Sequence, residues 1–357
     1  MHVPKVKYDF RSSGLNYFKC DLSLGEVDLS VNYTNGNPEV AKLLAQRYGV
    51  HAENVFISSE GASGQNARII KCLAEKNKNK NEAIVEYPTY EPLLRQVEEH
   101  FPVVKQLERK EKEDYRLDAD RLRKIVSEKT GLLILTNPHA PSGAIADESE
   151  LKEITTLAHE RGLYVLCDEI YAEFDRNKVP TVFCVDEELG IATTSFTKAY
   201  GLGGLKLGIA LANGELVNEL YTDVLNTVGN SPNIVQLIAV KLLTNRQESL
   251  ERHKQKWTCL KDETEEWLQR KNLEYFPSKV GVTYWVKLPI KDTYKWMNEH
   301  AIPHYSLAAV PGAFFLFADC YKLVKSDRIR LSLGNINPDK PNLTEALEAL
   351  QEGLKTQ

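Results

Sequence analysis

The chain has 357 residues, of which 42% are hydrophobic and 27% are charged, and its formal net charge is -5. This length favours two domains, and the mild acidity disfavours a nucleic-acid partner, because polyanion binding uses a concentrated excess of Lys and Arg. No apolar run reaches the length of a membrane span, and the N-terminus lacks a signal-peptide segment. We therefore expect no membrane partner and a cytoplasmic location.

The six cysteines lie far apart in the sequence and form no C-x-x-C pair, so they predict neither a zinc cluster nor a disulfide framework. The eight histidines show no H-E-x-x-H or similar spacing, and no nucleophile elbow is present. We expect no metal site and no serine-hydrolase triad.

Short apolar strands alternate with amphipathic helices along the first half of the chain. Residues 82–87, 131–136 and 163–168 have the composition of buried strands, and residues 148–161 carry an apolar stripe at helical spacing. This alternation predicts a largely parallel sheet with helices on both faces. Ligands in such sheets bind at the carboxyl ends of the strands.

Polar residues stand at these predicted strand ends. Asn137 follows one strand, Asp168 closes the next, and Tyr171 lies just beyond it. Asp168 follows Asn137 by 31 positions and Lys198 follows Asp168 by 30, and each interval is about one strand-helix repeat. We therefore expect Asn137, Asp168 and Lys198 to converge on one edge of the sheet.

Within residues 195–208, Lys198 stands between two hydroxyl residues and a glycine-rich run. A lysine held there suits a Schiff base with an aldehyde cofactor while its neighbours bind a phosphate, as pyridoxal phosphate (PLP) requires. The alternative for this segment alone is a glycine-rich surface turn with a solvated lysine.

Residues 327–334 alternate polar and apolar positions, which predicts a strand with Arg328 and Arg330 on the same side. The planar guanidinium of an arginine suits a carboxylate. A surface strand carrying charges is the alternative, and it fits Arg328 better than Arg330.

Together, and in this order, these segments resemble the class I/II aminotransferases of PLP fold type I, over roughly residues 28–334. The strongest match is the pattern S-x-T-K-x-x-G-x-x-G-x-K-x-G that begins at Ser195. The resemblance implies PLP as cofactor and an α/β fold. That fold has a large domain, with a mostly parallel seven-stranded sheet between helices, and a smaller α/β domain.

The resemblance also implies roles for the residues at the strand ends. Lys198 would form the Schiff base, and Asp168 would pair with the ring nitrogen of the cofactor. Asn137 and Tyr171 would hydrogen-bond its phenolic oxygen, with Tyr171 counted among the catalytic residues. Arg330 would bind the α-carboxylate of the substrate.

A second set of matches concerns the ring and the phosphate of the cofactor. Tyr90 would stack on the ring, and the expected phosphate ligands are Gly61, Ala62, Ser63, Ser195 and Lys206. Unpaired amides at a helix N-terminus suit a phosphate on physical grounds alone. Lys206 departs from the family, which usually has arginine there, and lysine lacks the bidentate fork.

Each of these residues taken singly has a plainer explanation. Asn137 before a proline is typical of a turn, Asp168 could cap a helix, and the tyrosines could be ordinary half-buried aromatics. Gly61 and Ser63 could serve only to begin a helix. The joint pattern favours the family, because five separate segments match it in order.

The predicted domains follow from this layout. Residues 1–34 would form an N-terminal segment packing with the small domain, residues 35–244 the large PLP-binding domain, and residues 245–357 the small domain. A long amphipathic helix at about 233–270 would link the two. The resemblance further implies a homodimer with shared active sites, in which Tyr33 reaches the phosphate bound by the partner.

The predicted function is transfer of an amino group between an L-amino acid and a 2-oxo acid, by a ping-pong mechanism through a Schiff base on Lys198. A PLP-dependent lyase, either a C–S β-lyase or a decarboxylase, could use the same residues. A non-catalytic relative is disfavoured by the full set of catalytic residues. A nicotinamide enzyme is disfavoured because residues 201–206 lack the final glycine of G-x-G-x-x-G.

Overall fold

The computed structural model describes residues 4–17, 25–317, 324–339 and 342–355, and for residues 245–253 it describes the backbone only. The predicted N-terminal segment 1–34 therefore lies partly outside the described residues.

The strands are β1 (Tyr8–Asp9), β2 (Val55–Ser58), β3 (Glu82–Tyr87), β4 (Val103–Glu108), β5 (Thr130–Thr136), β6 (Tyr164–Asp168), β7 (Gly190–Thr194), β8 (Gly208–Leu211), β9 (Tyr275–Pro277), β10 (Thr283–Lys287), β11 (Leu307–Ala308), β12 (Val310–Pro311) and β13 (Arg328–Ser332).

The helices connect these strands and cover the sheets. They are α1 (Pro38–Tyr48), α2 (Gly61–Lys76), α3 (Glu91–Glu98), α4 (Ala119–Ile125), α5 (Glu148–Glu160), α6 (Val182–Val185), α7 (Gly214–Thr227), α8 (Asn233–Arg270), α9 (Thr293–Trp296), α10 (Ile302–Tyr305) and α11 (Asn342–Lys355).

The central sheet has the strand order β2-β8-β7-β6-β5-β3-β4, seven strands among the residues described. β8 runs antiparallel to both of its neighbours, and all other neighbouring pairs are parallel. Every residue of β5 and β7 is buried, as expected for strands covered by helices on both faces. The predicted α/β fold with a mostly parallel seven-stranded sheet is confirmed.

The predicted elements agree closely with the observed ones. β3 has the predicted bounds, and β5, β6 and α5 differ from the prediction by one residue at a single end. α5 begins at a capping box in which the Asp147 side chain accepts from the Glu150 amide and Glu150 bonds back. Strong local signals of this kind explain why these bounds could be read from the sequence.

A second sheet lies in the C-terminal part of the chain. Its strand order is β12-β13-β10-β9, and its pairs are antiparallel. β1 pairs in parallel with β11, so the beginning of the chain joins the C-terminal part. α8 occupies the predicted range, whereas the division into domains at residues 34 and 244 stays a prediction.

The turn that follows β5 is fixed by His139, which is buried. Its Nε2 lies 2.9 Å from the Pro88 carbonyl oxygen, and its Nδ1 lies 2.7 Å from Ser142 Oγ. Because a carbonyl only accepts, Nε2–H donates to Pro88 and Nδ1 accepts from the Ser142 hydroxyl. Burial, together with the nearby Arg109, lowers the pKa of His139 well below its ordinary value. This neutral imidazole ties the turn after β5 to the turn after β3.

We expect His139 to make the protein sensitive to acid. The unfolded chain takes up a proton at this histidine near pH 6.5 and the folded chain does not, so the free energy of unfolding falls below about pH 6.5. His139→Gln keeps polar groups without this titration. The free energy of unfolding is measured by urea titration at pH 6 and pH 5. Between these two values it should fall by about 1 kcal/mol less in the variant than in the unmodified protein.

His51 is an exposed histidine, so His51→Gln serves as the matched control and should show the acid sensitivity of the unmodified protein. Equal acid sensitivity of His139→Gln and the unmodified protein would contradict the buried neutral state of His139.

Candidate active site

A cavity of about 300 Å³ lies at the carboxyl ends of β5 and β6. Its walls come from seven stretches of the chain that are far apart in sequence. The lining residues include Arg11, Ser12, Ser13, Gly61, Ala62, Ser63, Tyr90, Pro138, Ala140, Asp168, Tyr171, Thr197, Lys198, Lys206 and Arg330. The cavity therefore brings together nine of the predicted site residues.

A larger and more open cleft of about 1280 Å³ lies elsewhere on the protein. It is lined by charged and aromatic residues such as Lys110, Glu111, Trp285 and Arg328, and by none of the predicted site residues. Size alone does not identify a site, whereas convergent chemical groups do. The smaller cavity is therefore the candidate active site.

Asp168 ends β6 and presents a nearly buried carboxylate, 5% exposed, to this cavity. Its Oδ1 accepts from the Ile170 amide at 3.0 Å, and its Oδ2 accepts from Asn66 Nδ2 at 2.9 Å. Burial raises the pKa of Asp168 to about 6, against the lowering effect of these hydrogen bonds and of Lys198. The carboxylate is therefore charged at neutral pH although it is nearly buried.

Asn66 is a site residue that sequence reasoning missed. It lies on the buried face of α2, and its Oδ1 accepts from Thr193 Oγ1 at 2.6 Å. The sequence does contain a signal that Asn66 is buried. It stands four residues before the apolar Ile70, on the face of α2 that is otherwise largely apolar. A buried amide in such a position needs partners, but the sequence alone does not name them.

Lys198 lies in the loop after β7 and lines the cavity. Ser195 Oγ lies 2.6 Å from Thr197 Oγ1 and accepts a hydrogen bond from the Thr197 amide at 3.1 Å. Thr197 lines the cavity, and Ser195 is buried behind it. The predicted contact of Ser195 with a phosphate stays a prediction.

Residues 10–16, here called the strap, cross over this loop. Three of them, Arg11, Ser12 and Ser13, line the cavity and were not predicted from the sequence. The Leu15 amide donates to the Lys198 carbonyl at 3.0 Å, and Gly14 lies against Lys198. A Cβ at Gly14 would approach the Thr197 carbonyl oxygen to 3.2 Å, so a larger residue would push the strap away. The strap thus forms one wall of the cavity.

The strap also contacts two other site residues. Tyr171 donates a hydrogen bond from its hydroxyl to Ser13 Oγ at 2.8 Å, and both residues line the cavity. Arg330 donates from Nη2 to the Arg11 carbonyl at 3.1 Å. A single segment therefore fixes the positions of Lys198, Tyr171 and Arg330 relative to one another.

The N-terminus of α2 forms another wall of the cavity. Gly61 begins the helix with a φ of 67°, and its amide donates to the Lys206 carbonyl at 2.6 Å. The Glu60 side chain does not cap the helix, and by helix geometry the first-turn amides of Ala62 and Ser63 have no intrahelical acceptor. The Lys206 side chain lies next to Gly61 and lines the same cavity, so the amides and this positive side chain together suit a phosphate.

Tyr90 immediately precedes α3 and is partly exposed at the cavity, where Pro138 and Ala140 add apolar surface. Asn137 is buried behind this surface, with its amide group engaged by the protein. Its Oδ1 accepts from the Ala146 amide at 3.0 Å, and its Nδ2 donates to the Ala146 carbonyl at 3.1 Å and more weakly to that of Pro180. The predicted bond from Asn137 to the phenolic oxygen stays a prediction.

Arg330 and Arg328 lie two residues apart on β13 and have different surroundings. Arg330 is 8% exposed and lines the candidate site, and within the described residues its buried Nε has no hydrogen-bond partner. Arg328 is buried and forms ion pairs with Glu111 and Glu274 beside the larger cleft. The free guanidinium edge of Arg330 suits a substrate carboxylate, and Arg328 already has its counter-ions.

These residues fit PLP. Lys198 offers an amine for the aldehyde, Asp168 offers a charged carboxylate for the ring nitrogen, and the N-terminus of α2 with Lys206 suits the phosphate. Among the described residues, no cluster of His, Cys, Asp and Glu could hold a metal ion. None of the helices within the described ranges combines the length and the apolar character needed to cross a membrane.

Solved structures confirm the fold. A PLP-dependent aminotransferase of Streptococcus suis matches with a TM-score of 0.84 at 23% identity, covering 99% of this chain and 94% of that one. An aspartate aminotransferase mutant of Thermus thermophilus matches with a TM-score of 0.81 at 20% identity, covering 99% and 97%.

Curated relatives and a family model agree with this result. Aromatic-amino-acid aminotransferase 2 of Thermococcus litoralis is 26% identical over 88% of this chain and 80% of its own length. Aspartate aminotransferase of Pyrococcus abyssi is 27% identical over 57% of this chain, and the match spans about half, 54%, of that enzyme. The family model for aminotransferase class I and II matches residues 24–350. The chain therefore belongs to the class I and II aminotransferase family, whose members depend on PLP.

Proposed function

We propose that this protein is a PLP-dependent aminotransferase that moves an amino group between an L-amino acid and a 2-oxo acid by a ping-pong mechanism. One observation carries the proposal: a single cavity is lined by Lys198, Asp168, Arg330 and the N-terminus of α2. An amine, a buried carboxylate, a carboxylate-binding arginine and a phosphate site are the groups that this chemistry requires. Family membership supports the same reaction.

When bound, PLP supplies an aldehyde that accepts the amino group and a ring that stabilises negative charge at Cα. Lys198 would hold its aldehyde carbon, and Asp168 its ring nitrogen. The amides of Ala62 and Ser63, together with Lys206, would hold its phosphate. The ring of Tyr90 would cover one face.

Arg330 binds the substrate carboxylate in this proposal. Its Nη2 already bonds the Arg11 carbonyl, so its orientation is fixed, while Nε lacks a partner within the described residues. A carboxylate that accepts from this guanidinium would satisfy the unpaired donor and place Cα in the cavity. The Lys198 amine is the group in the cavity suited to take the proton from Cα and to return it.

Asp168 and Tyr171 prepare the site for this proton transfer. The Asp168 carboxylate is charged above about pH 6 and favours a protonated ring nitrogen next to it. The Tyr171 hydroxyl lines the same cavity and donates to Ser13 Oγ at 2.8 Å in the PLP-free chain. With PLP bound, it would turn this one proton from Ser13 to the phenolic oxygen. The two groups would therefore contact different atoms of the ring system, Asp168 the ring nitrogen and Tyr171 the phenolic oxygen.

The homodimer and the cytoplasmic location are further parts of the proposal. Membership in the class I and II aminotransferase family, whose members are typically dimers, supports the homodimer. Light scattering should give twice the mass of one chain, and the mass of one chain would contradict the dimer. Recovery in the soluble fraction of the cytoplasm would support the location, and recovery elsewhere would contradict it.

The reaction is tested by steady-state kinetics with PLP, a panel of L-amino acids and 2-oxoglutarate as acceptor. The names of the relatives indicate different amino donors, so the panel should include aspartate, aromatic amino acids and also histidinol phosphate, an amine without an α-carboxylate. We expect parallel double-reciprocal lines for the best donor, because the first product leaves before the second substrate binds. Intersecting lines, or pyruvate and ammonia formed from one amino acid without an acceptor, would contradict the proposal, and the second result would indicate a lyase.

Arg330→Gln tests the substrate carboxylate site. We expect KM for both the amino acid and the 2-oxo acid to rise by about tenfold or more, because a charge-assisted hydrogen bond is lost. The affinity for PLP, measured by titration of its absorbance, should stay nearly unchanged.

Arg328→Gln is the matched control, because Arg328 is on the same face of β13 but pairs with Glu111 and Glu274. This variant should be less stable to heat and should keep the KM values of the unmodified protein. An unchanged KM in Arg330→Gln, or an equal rise in both variants, would refute the assignment of Arg330.

A further inference from the structure

We propose that Thr193 and Asn66 form a buried hydrogen-bond relay that orients the Asp168 carboxylate and stabilises its charge. The inference rests on the proposed function, because it assigns to Asp168 the ring nitrogen of PLP. Thr193 and Asn66 lie behind the carboxylate and outside the cavity lining, so they are positioning residues. The relay adds to the site two residues that the sequence motifs do not contain.

The relay consists of two short hydrogen bonds between three elements. Thr193 Oγ1 on β7 donates to Asn66 Oδ1 at 2.6 Å, and Asn66 Nδ2 on α2 donates to Asp168 Oδ2 at 2.9 Å. Thr193 and Asn66 are at most 1% exposed, and Asp168 is 5% exposed. With so little exposure to water, each polar group depends on its protein partner.

The direction of the donors follows from the carboxylate. If the Asn66 amide were turned over, its oxygen would face the Asp168 oxygen, and two acceptors would meet at hydrogen-bond distance. Asn66 Nδ2 must therefore face Asp168, which leaves Oδ1 to accept from the Thr193 hydroxyl. Both donors then point toward the negative charge, and successive bonds of this kind polarise one another.

The two carboxylate oxygens of Asp168 accept hydrogen bonds from different parts of the chain. Oδ1 accepts from the Ile170 amide, which belongs to the same turn of the chain. Oδ2 accepts from Asn66, which reaches it from another element. Loss of the Asn66 amide would leave Oδ2 without this hydrogen bond and allow the carboxylate to turn away from the cavity. The relay therefore controls both orientation and charge.

Other charged and titratable groups also face Asp168. Lys198 lowers the pKa of Asp168, Glu169 raises it, and the largest effect is the raising effect of burial. Burial is the main cause that raises the pKa values of Cys167 and Tyr90, and the Asp168 charge adds to it. Asn66 and Thr193 differ from these groups because both are uncharged. Changing them alters hydrogen bonding to the carboxylate without altering the net charge around it.

The test measures the pKa of Asp168 in the PLP-free full chain. Infrared difference spectra between each protein and the same protein carrying Asp168→Asn isolate the carboxyl bands of this residue across a pH series. Thr193→Val removes the hydroxyl at nearly constant volume, and Thr193→Ser restores it. Asn66→Leu removes the amide altogether.

We expect the pKa of Asp168 to rise by about one pH unit in Asn66→Leu, because the charged form loses a hydrogen bond. Thr193→Val should raise it by a smaller amount, and Thr193→Ser should match the unmodified protein. Thr194→Val is the matched control, because the neighbouring buried Thr194 bonds the Glu169 carbonyl and not the relay. This control should leave the pKa of Asp168 unchanged.

An unchanged pKa of Asp168 in folded Thr193→Val would overturn the relay, as would an equal rise in Thr194→Val. If Asn66→Leu does not fold, the milder Thr193→Val decides. A failure of the proposed function has a different signature, because the unmodified protein would then fail to bind PLP or to transfer an amino group whatever the pKa values of the variants.

Discussion

The charged carboxylate of Asp168 is the constraint on which the rest of the site depends. A buried carboxylate is costly unless hydrogen bonds and a positive group compensate its charge. The Ile170 amide, Asn66 and Lys198 supply that compensation here. The parallel sheet makes it possible, because the ends of neighbouring strands and the N-terminus of α2 meet at one edge.

The strap joins this edge to the C-terminal part of the chain. It contacts the Lys198 loop at Leu15 and Arg330 through the Arg11 carbonyl, while the Gly334 amide donates to the Ser12 carbonyl at 3.0 Å. Arg330, which would bind the substrate, and Lys198, which would move its proton, are thus both held in place by the strap. Displacement of the strap would change the distance between Lys198 and Arg330. The geometry of the reaction therefore also depends on strap residues that take no part in the proton transfer.

Local patterns predicted much of the fold and the site, and contacts between distant segments account for the rest. Lys198 and Asp168 could be found because strand ends and glycine-rich loops have short sequence signatures. Asn66 and Ser13 could not, because their partners Asp168 and Tyr171 lie 102 and 158 positions away. Arg328 was expected on a charged surface, and it is buried because Glu111 and Glu274 reach it from other segments.

The central claim is that the Lys198 amine is the group that reacts with PLP. The most direct test is to mix the protein with PLP, reduce with borohydride, and locate the modified residue by peptide mass spectrometry. We expect one phosphopyridoxyl group per chain, on the peptide that contains Lys198. Modification at Lys206, modification spread over surface lysines, or no stable modification would contradict it.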